Sequence, residues 1–201
     1  MKATFLRRIG ILALTLAAAS CGSTVREGTG TSFLIIRGLE AASGATPDEF
    51  SGTLNSDVIT IVDDVPTIFN DVAVVTFGLG VKDPGSATSP NAPTQNQSIT
   101  VDRYSVRYIR ADGRNTPGVD VPYGFDGSFT VTVGEQDVEG AFQLVRHLAK
   151  QEAPLATLAT SPVVIATIAE ITFYGRDLTG HEVTAVGRIS IDFGNFGDPD
   201  Q

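Results

Sequence analysis

From Val163 to Phe193 the chain carries the same signature twice, an apolar residue at every second position. Ala169, Ile171 and Phe173 fall on one side of the first run. Val183, Ala185, Ile189, Ile191 and Phe193 fall on one side of the second, with the segment GRDLTG at 175–180 between them. A period of two sends alternate side chains to opposite faces of an extended chain. Each run therefore has one apolar face, and the glycine-bearing reversal folds the second run against the first as an antiparallel hairpin. A hairpin alone cannot hide such a face from water. The feature demands further strands beside it and a second apolar layer across from it.

The remaining sequence offers both. Phe33 to Ile36 predicts a strand, followed by turn residues over 41–47, and Val58 to Val62 predicts a short second strand. In Asp71 to Lys82, Val75, Phe77, Leu79 and Val81 share a face, with Gly78 and Gly80 opposite, where glycine marks a bend or a close neighbour. Ile99 to Arg110 changes phase: Ile99 and Val101 have one parity, while Tyr104, Val106 and Tyr108 have the other. A continuous strand can keep both sets on one side only through a bulge or a crossing between sheets near Asp102-Arg103. Phe129, Val131 and Val133 alternate as another strand. Residues 142–150 fit either period, and the flanking strands together with Pro154 favour a strand there. Eight or nine strands follow. The expected fold is all-β, a two-sheet antiparallel β-sandwich of immunoglobulin-like or related topology over residues 33–194, with a closed barrel as the alternative. Residues 195–201 form an acidic tail.

Two stretches read as loops. Asp83 to Ser98 is polar and proline-bearing, and Ala111 to Gly127 is dense in turn dipeptides. In the second, Asp112, Asn115 and Asp120, with Asp126 just beyond, crowd oxygen donors of the kind calcium uses, though at no EF-hand spacing. Such residues in turns more often bond their own backbone, so calcium is a weak expectation and no other cofactor is expected. Tyr123, between Pro122 and Gly124, is the aromatic expected to stand exposed, and Asp112, Asn115, Asp120, Tyr123 and Asp126 are the expected binding-loop residues. Asp63, Asp64 and Asp71 form a weaker acidic group, read as a solvated strand end.

Catalytic constellations are sparse. There is no GxSxG motif, and the two histidines, His147 and His181, fall 34 positions apart, each read as an ordinary strand residue. One cysteine and two histidines give no zinc spacing. A carboxylate pair could serve glycoside hydrolysis, yet nothing in the sequence singles out a pair.

The amino-terminal segment is of a different kind. Lys2, Arg7 and Arg8 precede an uncharged, mostly apolar run from Ile9 to Ala19, shorter than the roughly 20 residues a spanning helix needs. Ala18, Ala19 and Ser20 then lead into Cys21, the sole cysteine. This arrangement resembles the lipobox of bacterial lipoproteins, with Ala18 where leucine is frequent. The resemblance covers residues 1–21. It implies that 1–20 is a signal peptide cut after Ala18, Ala19 and Ser20, that the Cys21 thiol is lipidated with fatty chains such as palmitate, and that its new terminal amine is acylated. Gly22, rather than aspartate, then favours the outer membrane if the host has one. One acyl chain anchors only reversibly, whereas two or three hold for practical purposes permanently. Residues 21–32, polar and glycine-bearing, read as a lipidated flexible tether.

Loss of Lys2, Arg7 and Arg8 with the signal takes the net charge from −9 to −12. That surface repels nucleic acid and anionic headgroups, so the expected membrane contact is through lipid alone. The expectation is a non-enzymatic, extracytoplasmic lipoprotein presenting loops to a protein or glycan partner. A structural subunit of a cell-envelope or extracellular assembly is the alternative, and a carboxylate-dependent glycan-acting enzyme the third.

Overall fold

The structure, a computed structural model, describes residues 30–197. The lipobox residues Ala18, Ala19, Ser20 and Cys21, and the end of the acidic tail, lie outside the described residues. The chain is mostly β with several antiparallel sheets. In order its strands are β1 (Ser32–Ala42), β2 (Thr53–Asp57), β3 (Thr60–Val62), β4 (Val65–Thr67), β5 (Asp71–Val81), β6 (Gly85–Ser86), β7 (Ser89–Pro90), β8 (Ile99–Ile109), β9 (Phe125–Val133) and β10 (Val138–Val145). A single helical turn α1 (His147–Lys150) and a 3₁₀ turn at Leu155–Thr160 follow, then β11 (Ile165–Asp177) and β12 (Glu182–Gly194).

Eight strands make two sheets. One has the order β1-β5-β10, the other β2-β12-β11-β8-β9. The hairpin expected from the carboxyl-terminal alternation is β11–β12, paired from Ile165↔Phe193 to Arg176↔Glu182. Its strands run further than the turn dipeptides suggest, because Gly175 and Arg176 stay in the ladder and only 178–181 reverse the chain. Pairing is antiparallel throughout both sheets except at the edge, where β2 lies parallel to β12. That exception departs from the expected all-antiparallel arrangement. It arises because β2 arrives from β1 in the other sheet, and the Ala41–Ser51 bridge fixes its direction.

The two apolar faces share one core. Phe77 of the three-stranded sheet meets Phe173 of the five-stranded sheet edge-to-face at 5.0 Å, and Phe142 meets Phe173 at 5.3 Å. At Gly187 on β12 an added Cβ would come within 3.1 Å of both Ile36 and Leu39 of β1, so glycine permits the close approach of the two sheets there.

The phase change in β8 is a bulge. Its register to β11 slips between Val101, opposite Gly175, and Arg103, opposite Tyr174, leaving Asp102 as the extra residue. Ile99, Val101, Tyr104, Val106 and Tyr108 are consequently all buried in the same core. Elsewhere boundaries move. Val58 and Ile59 fall outside any strand, as β2 ends at Asp57 and β3 begins at Thr60. Asp63 and Asp64 have φ of 51° and 62° and form the two-residue turn of the β3–β4 hairpin, a left-handed conformation that aspartate tolerates. In 142–150 the strand holds to Val145 and the last four residues wind into α1.

Candidate functional site

The bulge has a consequence on the solvent side of the five-stranded sheet. Register places Ser128, Arg103, Tyr174 and Thr184 in one row across β9, β8, β11 and β12. The next row on the same face holds Asp126, Ser105, Thr172 and Val186, and beyond it stand Arg107, Glu170 and Arg188. Above the first row lies a groove of about 700 Å³ whose lining includes Asp102, Arg103, Asp126, Tyr174, Arg176 and Glu182. The Arg103 guanidinium sits 3.9 Å over the Tyr174 ring, a cation–π stack within the lining of the groove. Arg176 and Glu182 close one side through a 3.0 Å ion pair. Three carboxylates and two guanidinium groups leave the groove close to electrically balanced, while Ser128 and Thr184 add hydroxyls.

Two rows along the same face, Glu170 receives Arg107 at 2.6 Å and Arg188 at 2.6 Å, and these hydrogen bonds, Arg188 first, hold its carboxyl below the usual range. On the inner side, Gly127 lies under the Tyr104 ring, which occupies the space a Cβ would need. The Asp126-Gly127 dipeptide, read as a turn, is therefore part of β9. Its glycine serves a close aromatic approach, and its aspartate faces the groove.

The other residues expected in the binding loop are used by the loop itself. Asp112 accepts from both Arg110 (2.7 Å) and Arg114 (2.8 Å), and these contacts hold its carboxyl far below the usual range. Asn115 Oδ1 accepts the Arg110 amide at 2.6 Å, and Asp120 Oδ2 accepts the Thr116 amide at 3.1 Å. Each oxygen donor thus answers a different partner, and among the described residues no group of three or more His, Cys, Asp or Glu is placed to hold a metal. Tyr123 stands 55% exposed, its ring over Gly118 (φ +75°). Asp126 alone of the five reaches the groove.

The histidines sit at strand ends. His181 Nδ1 is 2.7 Å from the Thr179 hydroxyl and 3.2 Å from Asp177 Oδ2. A catalytic relay needs the acid and the nucleophile on opposite ring nitrogens, and here both share Nδ1. The cluster ties the β11–β12 reversal. Burial works to raise the Asp177 carboxyl, but hydrogen bonds from Thr179 and His181 prevail and hold it down to about 2. His147 donates its backbone amide to Asn70 Oδ1 at 2.7 Å, which fastens α1 to the start of β5.

Beside that fastening lies a feature the sequence reading misplaced. Asp71 is not a solvated strand end. It is fully buried and meets Lys150 Nζ at 2.8 Å, with side-chain exposures of 0% and 1%. Ser56 Oγ donates to its Oδ2 at 2.6 Å and the Gly44 amide to its Oδ1 at 2.9 Å. Burial raises its carboxyl above the usual range, outweighing the attraction of Lys150. The signal was present in the sequence, since Asp71 has the parity of Ala73, Val75 and Phe77, all on the buried face of β5.

No protein-family model matches the chain, and no curated protein is similar to it. The site therefore stands on its own chemistry.

Proposed function

We propose that this chain is a lipid-anchored, extracytoplasmic binding protein that takes a glycan in the groove on its five-stranded sheet. In this reading the two sheets are the layers of a β-sandwich of immunoglobulin-like or related topology. Cys21 carries the acyl chains after cleavage behind Ala18, Ala19 and Ser20, and residues 21–32 tether the domain to the leaflet, the outer membrane where the host has one. The resemblance of residues 16–21 to a lipobox supports the anchor. The observation that carries the ligand class is the Arg103–Tyr174 stack in a groove lined also by carboxylates and hydroxyls. A sugar ring has an apolar face that lies on such a stack and an equatorial rim of hydroxyls that hydrogen-bonds to Asp126, Ser128, Glu182 and Thr184. Near-balanced charge in the groove suits a neutral polyol better than a polyanion, and specificity follows from a few polar groups converging on one concavity.

Glycan-array screening followed by calorimetry tests the ligand. Tyr174→Ala is expected to weaken binding about tenfold or more, as loss of a central aromatic anchor does, with the fold intact by circular dichroism. An array without retained glycans, or a Tyr174→Ala variant that binds like the parent, refutes the assignment. Mass spectrometry of the amino-terminal peptide tests the anchor: an acylated Cys21 supports it and a free thiol does not.

The three carboxylates in the groove favour one second reading, a glycan-acting enzyme using Asp102, Asp126 or Glu182. Release of reducing ends from any retained glycan, lost in Asp126→Asn or Glu182→Gln, selects that reading over simple binding.

A further inference from the structure

We propose that Asp71 and Lys150 are a self-modification site, at which the two side chains condense to an intramolecular amide that ties the start of β5 to α1. The pair is sealed from water, with side-chain exposures of 0% and 1% and Nζ 2.8 Å from Oδ1. As an ion pair the arrangement is incomplete. A buried ammonium carries three donors, and among the described residues Asp71 Oδ1 is the one acceptor in reach of this one. Two buried charges in so dry a site hold together only when every lone pair and proton is answered. The amide has no charge and a single N–H.

The reacting groups are already positioned. A proton moving along the Nζ–Oδ1 hydrogen bond converts the ion pair into neutral acid and neutral amine. The burial that raises the Asp71 carboxyl favours that neutral form. A small rotation then brings the amine lone pair from Oδ1 to the adjacent Cγ. The C–N bond forms as Nζ attacks. The negative charge that develops on Oδ2 is met by the Ser56 hydroxyl at 2.6 Å, as an oxyanion is. Oδ1, already a hydroxyl and held by the Gly44 amide at 2.9 Å, takes a second proton from Nζ. The Cγ–Oδ1 bond breaks, Oδ1 leaves as water, and Oδ2 remains as the amide carbonyl. One acid and one amine give one amide and one water, with no oxidant, reductant or activating group. Contact within a rigid core supplies effective molarities that reach about 10⁵ M or more, and exclusion of water removes the ionisation that makes the same condensation unfavourable in solution. The link would close the loop between residues 79 positions apart.

Trypsin reads the outcome. Cleavage follows Arg37, Lys82, Arg146 and Arg176, and no Lys or Arg lies between 38 and 82 except Lys82 itself. Acylated Lys150 resists the enzyme. The denatured, digested protein is therefore expected to yield a branched species, residues 38–82 joined to 147–176, lighter than the two linear peptides together by one water. Lys150→Arg and Asp71→Ala should each abolish it. Linear peptides 38–82, 147–150 and 151–176 at their unmodified masses in the wild-type digest overturn the proposal, whether or not the variants fold. A branched species that persists in either variant overturns it equally.

Discussion

Phe173 is the residue on which most of the core converges. It is fully buried and lies edge-on to Phe77 and Phe142, with Phe129 at 6.1 Å. Phe173→Ala should cost about 3–5 kcal/mol, the usual range for an aromatic truncated in a core that cannot collapse, read as a fall in the urea midpoint. Asp177 makes a different prediction. Its carboxyl is held to about 2 in the folded chain, below the ordinary value of 3.8. A depressed carboxylate contributes stability that is fully present above its unfolded value and is lost as pH falls through the folded one. The melting temperature should therefore drop between about pH 4 and pH 2, and Asp177→Asn should flatten that part of the curve. A variant whose acid limb overlays the parent's would show that the reversal does not depend on the ionised carboxylate.

At the scale of elements the phase of β8 is decisive. Removing Asp102 would restore an unbroken two-residue period with Ile99, Val101, Tyr104, Val106 and Tyr108 all at one parity, so the core would keep all five. Removing Ser105 instead would put Val106 and Tyr108 out of phase with Tyr104 and turn them from the core. Deletion of Ser105 is therefore expected to leave the protein unfolded or insoluble, whereas deletion of Asp102 should keep the fold, and Asp102→Ala, on an exposed side chain, should stay within about 0.5 kcal/mol of the parent. Urea titration and circular dichroism of the three variants separate backbone register from side-chain chemistry. The 110–124 segment has the opposite character. Its carboxylates are spent on Arg110, Arg114 and the Thr116 amide, so a cation would have to displace guanidinium groups already in contact. Calorimetry with calcium and then EDTA should give one unchanged melting temperature. A rise with calcium would restore the weak cation expectation at Asp112, Asn115 and Asp120.

For the molecule as a whole, a single core fed by both sheets predicts a single transition. Phe77, Phe142 and Phe173 cannot lose contact one sheet at a time, so the calorimetric and van't Hoff enthalpies of unfolding should agree. Their divergence would mean that the sheets unfold separately. The net charge of −9, which becomes −12 under the proposed cleavage before Cys21, opposes self-association. A protein that behaves as a monomer in light scattering at high concentration fits a binding role better than the structural-subunit alternative, and concentration-dependent assembly would reverse that preference.

Local pattern determined a good deal unaided. The β11–β12 hairpin, the all-β class and the slip at Asp102 are each properties of parity along the chain, and parity is written in the order of residues. The exposure of Tyr123 was legible for a related reason, because flanking proline and glycine keep it out of a ladder. Distance in sequence hid the rest. The groove exists only where four strands bring Ser128, Arg103, Tyr174 and Thr184 into one row, and no strand contains more than one of them. Asp126-Gly127 looks like a turn until the Tyr104 ring shows why the glycine is there. Asp71 looks solvated until Lys150 arrives from α1 to meet it. Strand periodicity is set by nearest neighbours along the chain, whereas a binding surface and a buried charge are set by neighbours in space, which only the packing of one sheet on the other selects.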